Sequence, residues 1–170
     1  SKAIEIDPQY AFAYVNRGYA KYKLGDYQEA IADHSKAIEI DPQYAFAYVN
    51  RGYAKYKLGD YQEAIADHSK AIEIDPQYAF AYLNRGYAKE KLGDYQGAIA
   101  DYTKAIQIDP QYAFSYNNRG YAKYKSGDYQ GAIADYNKAI EIDPQDAFSY
   151  SNRGNAKEKL GDYQGAIADY

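Results

Sequence analysis

Three kinds of side chain in this sequence could do chemistry, and each recurs at a fixed distance. The only histidines are His34 and His68. Imidazole is a common zinc ligand and the usual general base near neutral pH. Arginine and aspartate recur in step: Arg17, Arg51, Arg85, Arg119 and Arg153 with Asp33, Asp67, Asp101, Asp135 and Asp169. A guanidinium facing a carboxylate makes a directed, charge-assisted pair. Asparagine recurs as Asn16, Asn50, Asn84, Asn118 and Asn152. Its amide carries donors and an acceptor, as one peptide unit does.

Catalysis and metal binding find little support in these residues. His34 and His68 occupy equivalent places in successive copies of one unit. Packed helices lie about 8–10 Å apart, and zinc needs each nitrogen at about 2 Å, which argues against a shared metal. Later copies carry Tyr102, Tyr136 and Tyr170 there, so the histidines are expected to pack as core aromatics. No serine or threonine has a His and Asp constellation for nucleophilic attack. Acidic residues recur at surface-type positions without clustering. The glycines of "RGYAKYKLGD" have neither the spacing nor the loop context of a phosphate cradle. The expectation is a protein that is not an enzyme and has no cofactor and no metal.

The unit that repeats is 34 residues long. Residues 11–44 and 45–78 are identical at every position; 79–112 and 113–146 are close variants, 147–170 is a partial repeat, and 1–10 matches the tail of a copy. Each unit reads as two helices. The first runs from Ala11 to Leu24 and is stopped by Gly25. Asp26 is expected to cap the second, with Glu29 three places on completing a capping box. That helix runs from Tyr27 to Ile40 and places Tyr27, Ala30, Ile31, His34, Ala37, Ile38 and Ile40 mostly on one stripe. Asp41-Pro42 ends it. Connections this short make neighbouring helices antiparallel, and one hairpin cannot bury its apolar face alone, so units must stack.

The chain resembles the tetratricopeptide repeat family over its whole length. Tyr14, Gly18, Ala30, His34, Ala37 and Pro42 match, as does the linking Gly25–Tyr27. Two positions depart from the pattern: Arg17 stands where Leu is usual and Lys21 where Tyr is usual, both in every copy. The resemblance implies an all-α fold, an α-solenoid of antiparallel helix pairs forming a right-handed superhelix, here one solenoid over residues 1–170. It also implies first helices that line a concave groove holding peptides or partner proteins.

Gly18 recurs in every copy although a helical glycine costs about 1 kcal/mol relative to Ala. It is expected to admit the ring of His34, or its Tyr counterpart. Gly97, Gly131 and Gly165 replace the capping-box glutamate, so weaker helix starts are expected in the last three copies. Arg17 faces the second helix by periodicity. An unpaired charge there is expensive. Either Arg17 pairs with Asp33, and each later Arg with its Asp, or both side chains reach water.

Phe12, Val15, Asn16, Tyr19, Tyr22 and Lys23 share another stripe, at spacings of three and four. Copying turns each into a ladder. The expected peptide contacts are the five asparagines, with Phe12, Phe46, Phe80, Phe114, Tyr19, Tyr53, Tyr87 and Tyr121; Phe148 continues the phenylalanine series and Asn155 ends the tyrosine series. Similar asparagine ladders line the repeat domain of the transferase that adds N-acetylglucosamine to proteins. A second subgroup of the family clamps acidic chaperone tails with Lys, Asn and Arg. Those places hold Val15, Tyr19, Phe80 and Asn84 here, and only Asn50 matches, so that partner is excluded. The alternative is a structural array in which the ladders record duplication alone.

Composition narrows the partners. The net charge is −4, which gives no basic face for nucleic acid. Mean hydropathy is −0.76, and no apolar run approaches the roughly 20 residues of a membrane span. There is no cysteine. Nothing resembles a signal peptide, and a cytoplasmic location is favoured, although the chain begins inside a repeat. Joining "GAIADY" to "SKAIEIDP" restores the repeat without a gap, so head-to-tail self-stacking is a further expectation.

Overall fold

Glycine and the Asp-Pro pair set the helix ends. Gly25 takes φ 89°, in the left-handed region, and its N–H bonds back to the carbonyls of Lys21 and Tyr22. Asp41 is extended (φ −130°) and its carboxylate accepts the N–H of Gln43, starting the turn into the next copy. The same two stops recur along the chain. A computed structural model describes residues 1–170. All of its regular elements are helices, grouped in two compact units, Ser1–Ala88 and Lys89–Tyr170.

The first unit contains α1 (Lys2–Ile6), α2 (Ala11–Leu24), α3 (Tyr27–Ile40), α4 (Ala45–Leu58) and α5 (Tyr61–Ile74). The unit boundary falls within α6 (Ala79–Lys91). Helices α2 and α3 pair, as do α4 and α5, and α3 packs on α4. The second unit contains α7 (Tyr95–Ile108), α8 (Ala113–Lys125), α9 (Tyr129–Ile142), α10 (Ala147–Lys159) and α11 (Tyr163–Asp169). There α8 pairs with α9 and α10 with α11. The boundaries expected for the first helix pair, Ala11–Leu24 and Tyr27–Ile40, are those observed.

Small residues let the helices approach. Ala30, Ala37, Ala47, Ala64 and Ala71 are fully buried in the first unit. A Cβ built on Gly18 would lie 2.7 Å from Cε1 of His34, and one on Gly52 as close to His68. In the second unit Gly120 faces Tyr136 at 2.8 Å and Gly154 faces Tyr170 at 2.7 Å. The ring and the glycine therefore form one packing feature, as the recurrence of Gly18 predicts. Each histidine packs on its own hairpin's glycine. Burial of alanine removes little area, about 0.8 kcal/mol for a methyl-sized group. Much of the hairpin's cohesion must come from larger side chains, including the polar ones below.

Three sequence expectations change. Val15 is fully buried, in a cluster with Tyr14, Ala37 and Ala47, and does not belong to the exposed stripe. The capping box does not form: the side chains of Asp26 and Asp60 make no cap hydrogen bond. Glu29 and Glu63 instead pair with Lys21 and Lys55, at 3.0 and 3.3 Å. The copies expected to start weakly are the capped ones. Asp94, Asp128 and Asp162 each accept the N–H of Gly97, Gly131 or Gly165 at 2.9 Å. A Cβ on Gly131 would collide with Oδ2 of Asp128. That carboxylate orientation is open only where the third helical residue lacks a side chain.

Candidate peptide-binding face

The interior of each hairpin fixes its first helix before any ligand arrives. Arg17 on α2 donates to Asp33 on α3 twice, from Nε to Oδ2 at 2.8 Å and from Nη2 to Oδ1 at 2.5 Å. Arg51 holds Asp67, Arg119 holds Asp135 and Arg153 holds Asp169 in the same bidentate way. Four of the five expected pairs join residues of one unit, and all four form. Burial alone would raise the Asp33 pKa, but the hydrogen bonds from Arg17 and Lys21 hold it below the ordinary carboxylate value. At Asp169 the Arg153 hydrogen bond is the largest influence and again lowers it.

Two partners in this network were not expected. Lys21 reaches Asp33 at 3.0 Å, and Lys55, Lys89, Lys123 and Lys157 reach the matching aspartates at 2.8–2.9 Å. The signal was available: the lysine stands one turn after the arginine in every copy. The second partner lies in the preceding copy. Nη1 of Arg51 donates to Ser35 at 3.1 Å, Arg85 to Ser69 at 3.0 Å, Arg119 to Thr103 at 3.2 Å and Arg153 to Asn137 at 2.7 Å. These four positions vary in residue type but always carry a side-chain oxygen. Each guanidinium also lies over a tyrosine three residues before it, as Arg51 does over Tyr48 at 5.6 Å.

With the interior face so occupied, the opposite face carries the expected ladder residues. In the first unit Phe12, Asn16 and Tyr19 lie on α2, Phe46, Asn50 and Tyr53 on α4, and Phe80, Asn84 and Tyr87 on α6. In the second unit Phe114, Asn118 and Tyr121 lie on α8, and Phe148, Asn152 and Asn155 on α10. The phenylalanines of this face are open, between 42% and 60% exposed, and Tyr19 matches them at 48%. The tyrosines are more engaged. Tyr53 stacks on Tyr56 and meets Tyr22 at 5.2 Å, while Lys23 lies over Tyr19 and Lys57 over Tyr53. Burial, with a hydrogen bond to Tyr53, pushes the Tyr22 phenol well above its ordinary pKa.

The amides are not equivalent. Asn50 donates to the carbonyl of Phe46 at 2.8 Å and Asn118 to that of Phe114 at 2.6 Å. This bond along the helix orients the amide and uses one of its two N–H groups. Asn152 instead donates to Oδ1 of Asn117 at 3.1 Å, joining a buried network absent from the other copies. Both histidines are buried, and Nδ1 of His34 has no hydrogen-bond partner. Desolvation lowers the His34 pKa to about 4, so the ring is a neutral packing group. No helix is long and apolar enough to cross a membrane.

A TPR repeat family model matches residues 18–59, 52–93 and 120–161, more than half of the chain. The chain belongs to the tetratricopeptide repeat family. Two other tetratricopeptide repeat models match residues 79–112, and residues 1–32 and 101–134. No curated relative matches. Among solved structures, a MamA protein is 28% identical with a TM-score of 0.85, covering 94% of this chain and 87% of that one. MamA residues 41 to the end from Desulfovibrio magneticus RS-1 match at 21% identity and a TM-score of 0.86, covering 94% and 90%. YrrB, described as a TPR protein with an unusual peptide-binding site, matches at 22% and 0.81, covering 99% and 87%. The all-α helix-pair architecture of this tetratricopeptide repeat chain agrees with these likenesses.

Proposed function

We propose that this scaffold holds an extended segment of a partner protein against the exposed face of its first helices, without catalysis. The observation that carries the reading is the repeated pairing of an open phenylalanine with an asparagine one turn later, as in Phe46 and Asn50. The amide offers hydrogen bonds to a peptide backbone, and the ring offers apolar contact beside it. The Arg–Asp–Lys interior supports the same reading, because it holds each first helix in place and limits the ordering needed on binding. The same fold carries a peptide-binding site in YrrB.

Replacing Asn50, Asn84 and Asn118 together by Ala tests this. A peptide selected on the parent should bind the triple variant at least about tenfold more weakly, a loss of about 1.4 kcal/mol, with unchanged helicity. Equal binding by parent and variant would remove the asparagines from the grip. Light scattering of the free chain separates this reading from a self-assembling array, whose mass would grow with concentration.

A further inference from the structure

One cavity of the second unit lies where the near-identical copies diverge, at Asp146. It measures about 630 Å3 and is lined by residues that include Tyr112, Phe114, Ile142, Asp143, Asp146 and Phe148. In earlier copies a tyrosine stands two residues before the phenylalanine and its ring lies against it. Tyr10 and Phe12 are 5.9 Å apart between centroids, Tyr44 and Phe46 6.3 Å, and Tyr112 and Phe114 6.0 Å. Asp146 takes the tyrosine's place before Phe148, which is left 60% exposed. A carboxylate stands where the other copies carry a ring.

The neighbouring departures serve that carboxylate. Oδ1 of Asp146 accepts the N–H of Phe148 at 3.1 Å, and Oδ2 accepts the hydroxyl of Ser149 at 2.5 Å. The amide of Asn117 donates to Ser149 at 2.5 Å and approaches Oδ2 at 3.5 Å. Asn117 stands where the other full copies carry Val15, Val49 and Leu83, and Ser149 where three of them carry Ala13, Ala47 and Ala81. Asn117 and Ser149 are both buried. This chain of hydrogen bonds replaces apolar packing and fixes the Asp146 carboxylate in one orientation. Asp143, also in the lining, accepts the N–H of Gln145. Neither aspartate has a cationic partner, and no lysine or arginine lines the cavity.

Two oriented carboxylates and two open phenyl faces without a counter-charge fit a cation carried on an apolar stem. We propose that this cavity is a specificity subsite that takes a Lys or Arg side chain of the bound peptide. The proposal rests on the peptide-binding reading above and deepens it. The cationic head would lie against the carboxylates, where partial desolvation strengthens the attraction. The methylene stem would pack on Phe114 and Phe148, with a cation–π contribution from the rings. The phenylalanine and asparagine ladders recur in every copy, whereas a carboxylate stands before the phenylalanine only at Asp146 and would set the position of the ligand along the face.

The test is selection from a random heptapeptide library on the parent and on Asp146→Tyr, which restores the residue of the other copies. The parent should enrich Lys or Arg at one position. The variant should still select peptides but lose that enrichment, and the best basic peptide should bind it at least about tenfold more weakly. Asp146→Asn, nearly isosteric, guards against a folding defect. It should keep the parent's circular dichroism and lose the same preference. Peptides selected without basic residues, or a basic preference that survives both substitutions, would overturn the subsite and leave the peptide-binding reading standing. Failure to select any peptide on the parent would overturn both.

Discussion

Arg51 grips Asp67 with two hydrogen bonds, 2.9 and 2.6 Å long, while its remaining nitrogen reaches Ser35 of the preceding copy. One side chain thereby ties α4 to α5 and to α3. A buried pair of this kind adds little net stability over an apolar replacement, because desolvation offsets the attraction. Leaving one partner alone is costly.

Asp67→Ala should therefore destabilise the protein by about 3 kcal/mol, since it removes both carboxylate hydrogen bonds of Arg51 in a partly buried site, while Lys55 keeps Glu63. Adding Arg51→Leu should restore part of the loss. Urea midpoints for the single and double variants check this, and equal midpoints would remove the coupling.

Ser35→Ala should cost less, about 1 kcal/mol, the usual net value of one hydrogen bond. Ser35→Thr and Ser35→Asn should be tolerated, as Thr103 and Asn137 accept the same bond from Arg119 and Arg153. Thermal denaturation of the three variants would show this order; a loss with Thr or Asn equal to that with Ala would contradict it.

Gly52→Ala and Gly131→Ala should behave oppositely. At Gly52 the new methyl meets the buried His68 ring at 2.7 Å, and overpacking of this kind costs about 1–3 kcal/mol, more than the gain in helix propensity. At Gly131 it meets a mobile carboxylate, which can swing away. The lost cap and the gain in propensity, each about 1 kcal/mol, then nearly cancel. The amide of residue 131 should show faster hydrogen exchange while the denaturation midpoint holds.

Acid should weaken the first unit through His34. Its folded pKa, about 4, lies below the ordinary 6.5, so the unfolded chain binds the proton more readily between those values. Stability is complete above about pH 6.5 and falls as the pH drops toward 4, by a total on the order of 3 kcal/mol. Loss of the Asp33 ion pair adds to this only below the ordinary carboxylate value of 3.8. His34→Tyr should flatten the range between pH 6.5 and 4. Tyr136 provides the precedent, packing on Gly120 beside Tyr124. Parallel pH profiles for parent and variant would refute the assignment.

The fold was legible because its strongest signals are local. Gly25 stops α2 and Asp41 stops α3 by backbone conformation, which the residues themselves dictate. The Gly18–His34 contact was legible because glycine in mid-helix needs a reason, and the ring opposite supplies it. The capping-box pattern misleads at Glu29 because it ignores competition. Glu29 is within reach of Lys21, a relation set by how α2 and α3 pack and not by spacing along α3. Val15 was misplaced for a related reason: periodicity assigns a face, but the next copy decides whether that face is covered. The Asp146 network joins Asn117 to Ser149 across two copies, and its members look like neutral drift until they are seen together.

The reach of four of the five arginines into the previous copy bears on how such a gene can change. The contacts of a hairpin divide into a half it carries, its own Arg, Asp and Lys, and a half its neighbour supplies, one side-chain oxygen. A whole copy inserted or lost by unequal crossing-over re-forms every junction from parts already present, because Ser, Thr and Asn all serve at that place. An insertion of another length inside a helix shifts the arginine out of register with the partner on that side. The lineage can therefore lengthen or shorten in steps of one hairpin with little penalty, and single-residue insertions are the changes that selection should remove.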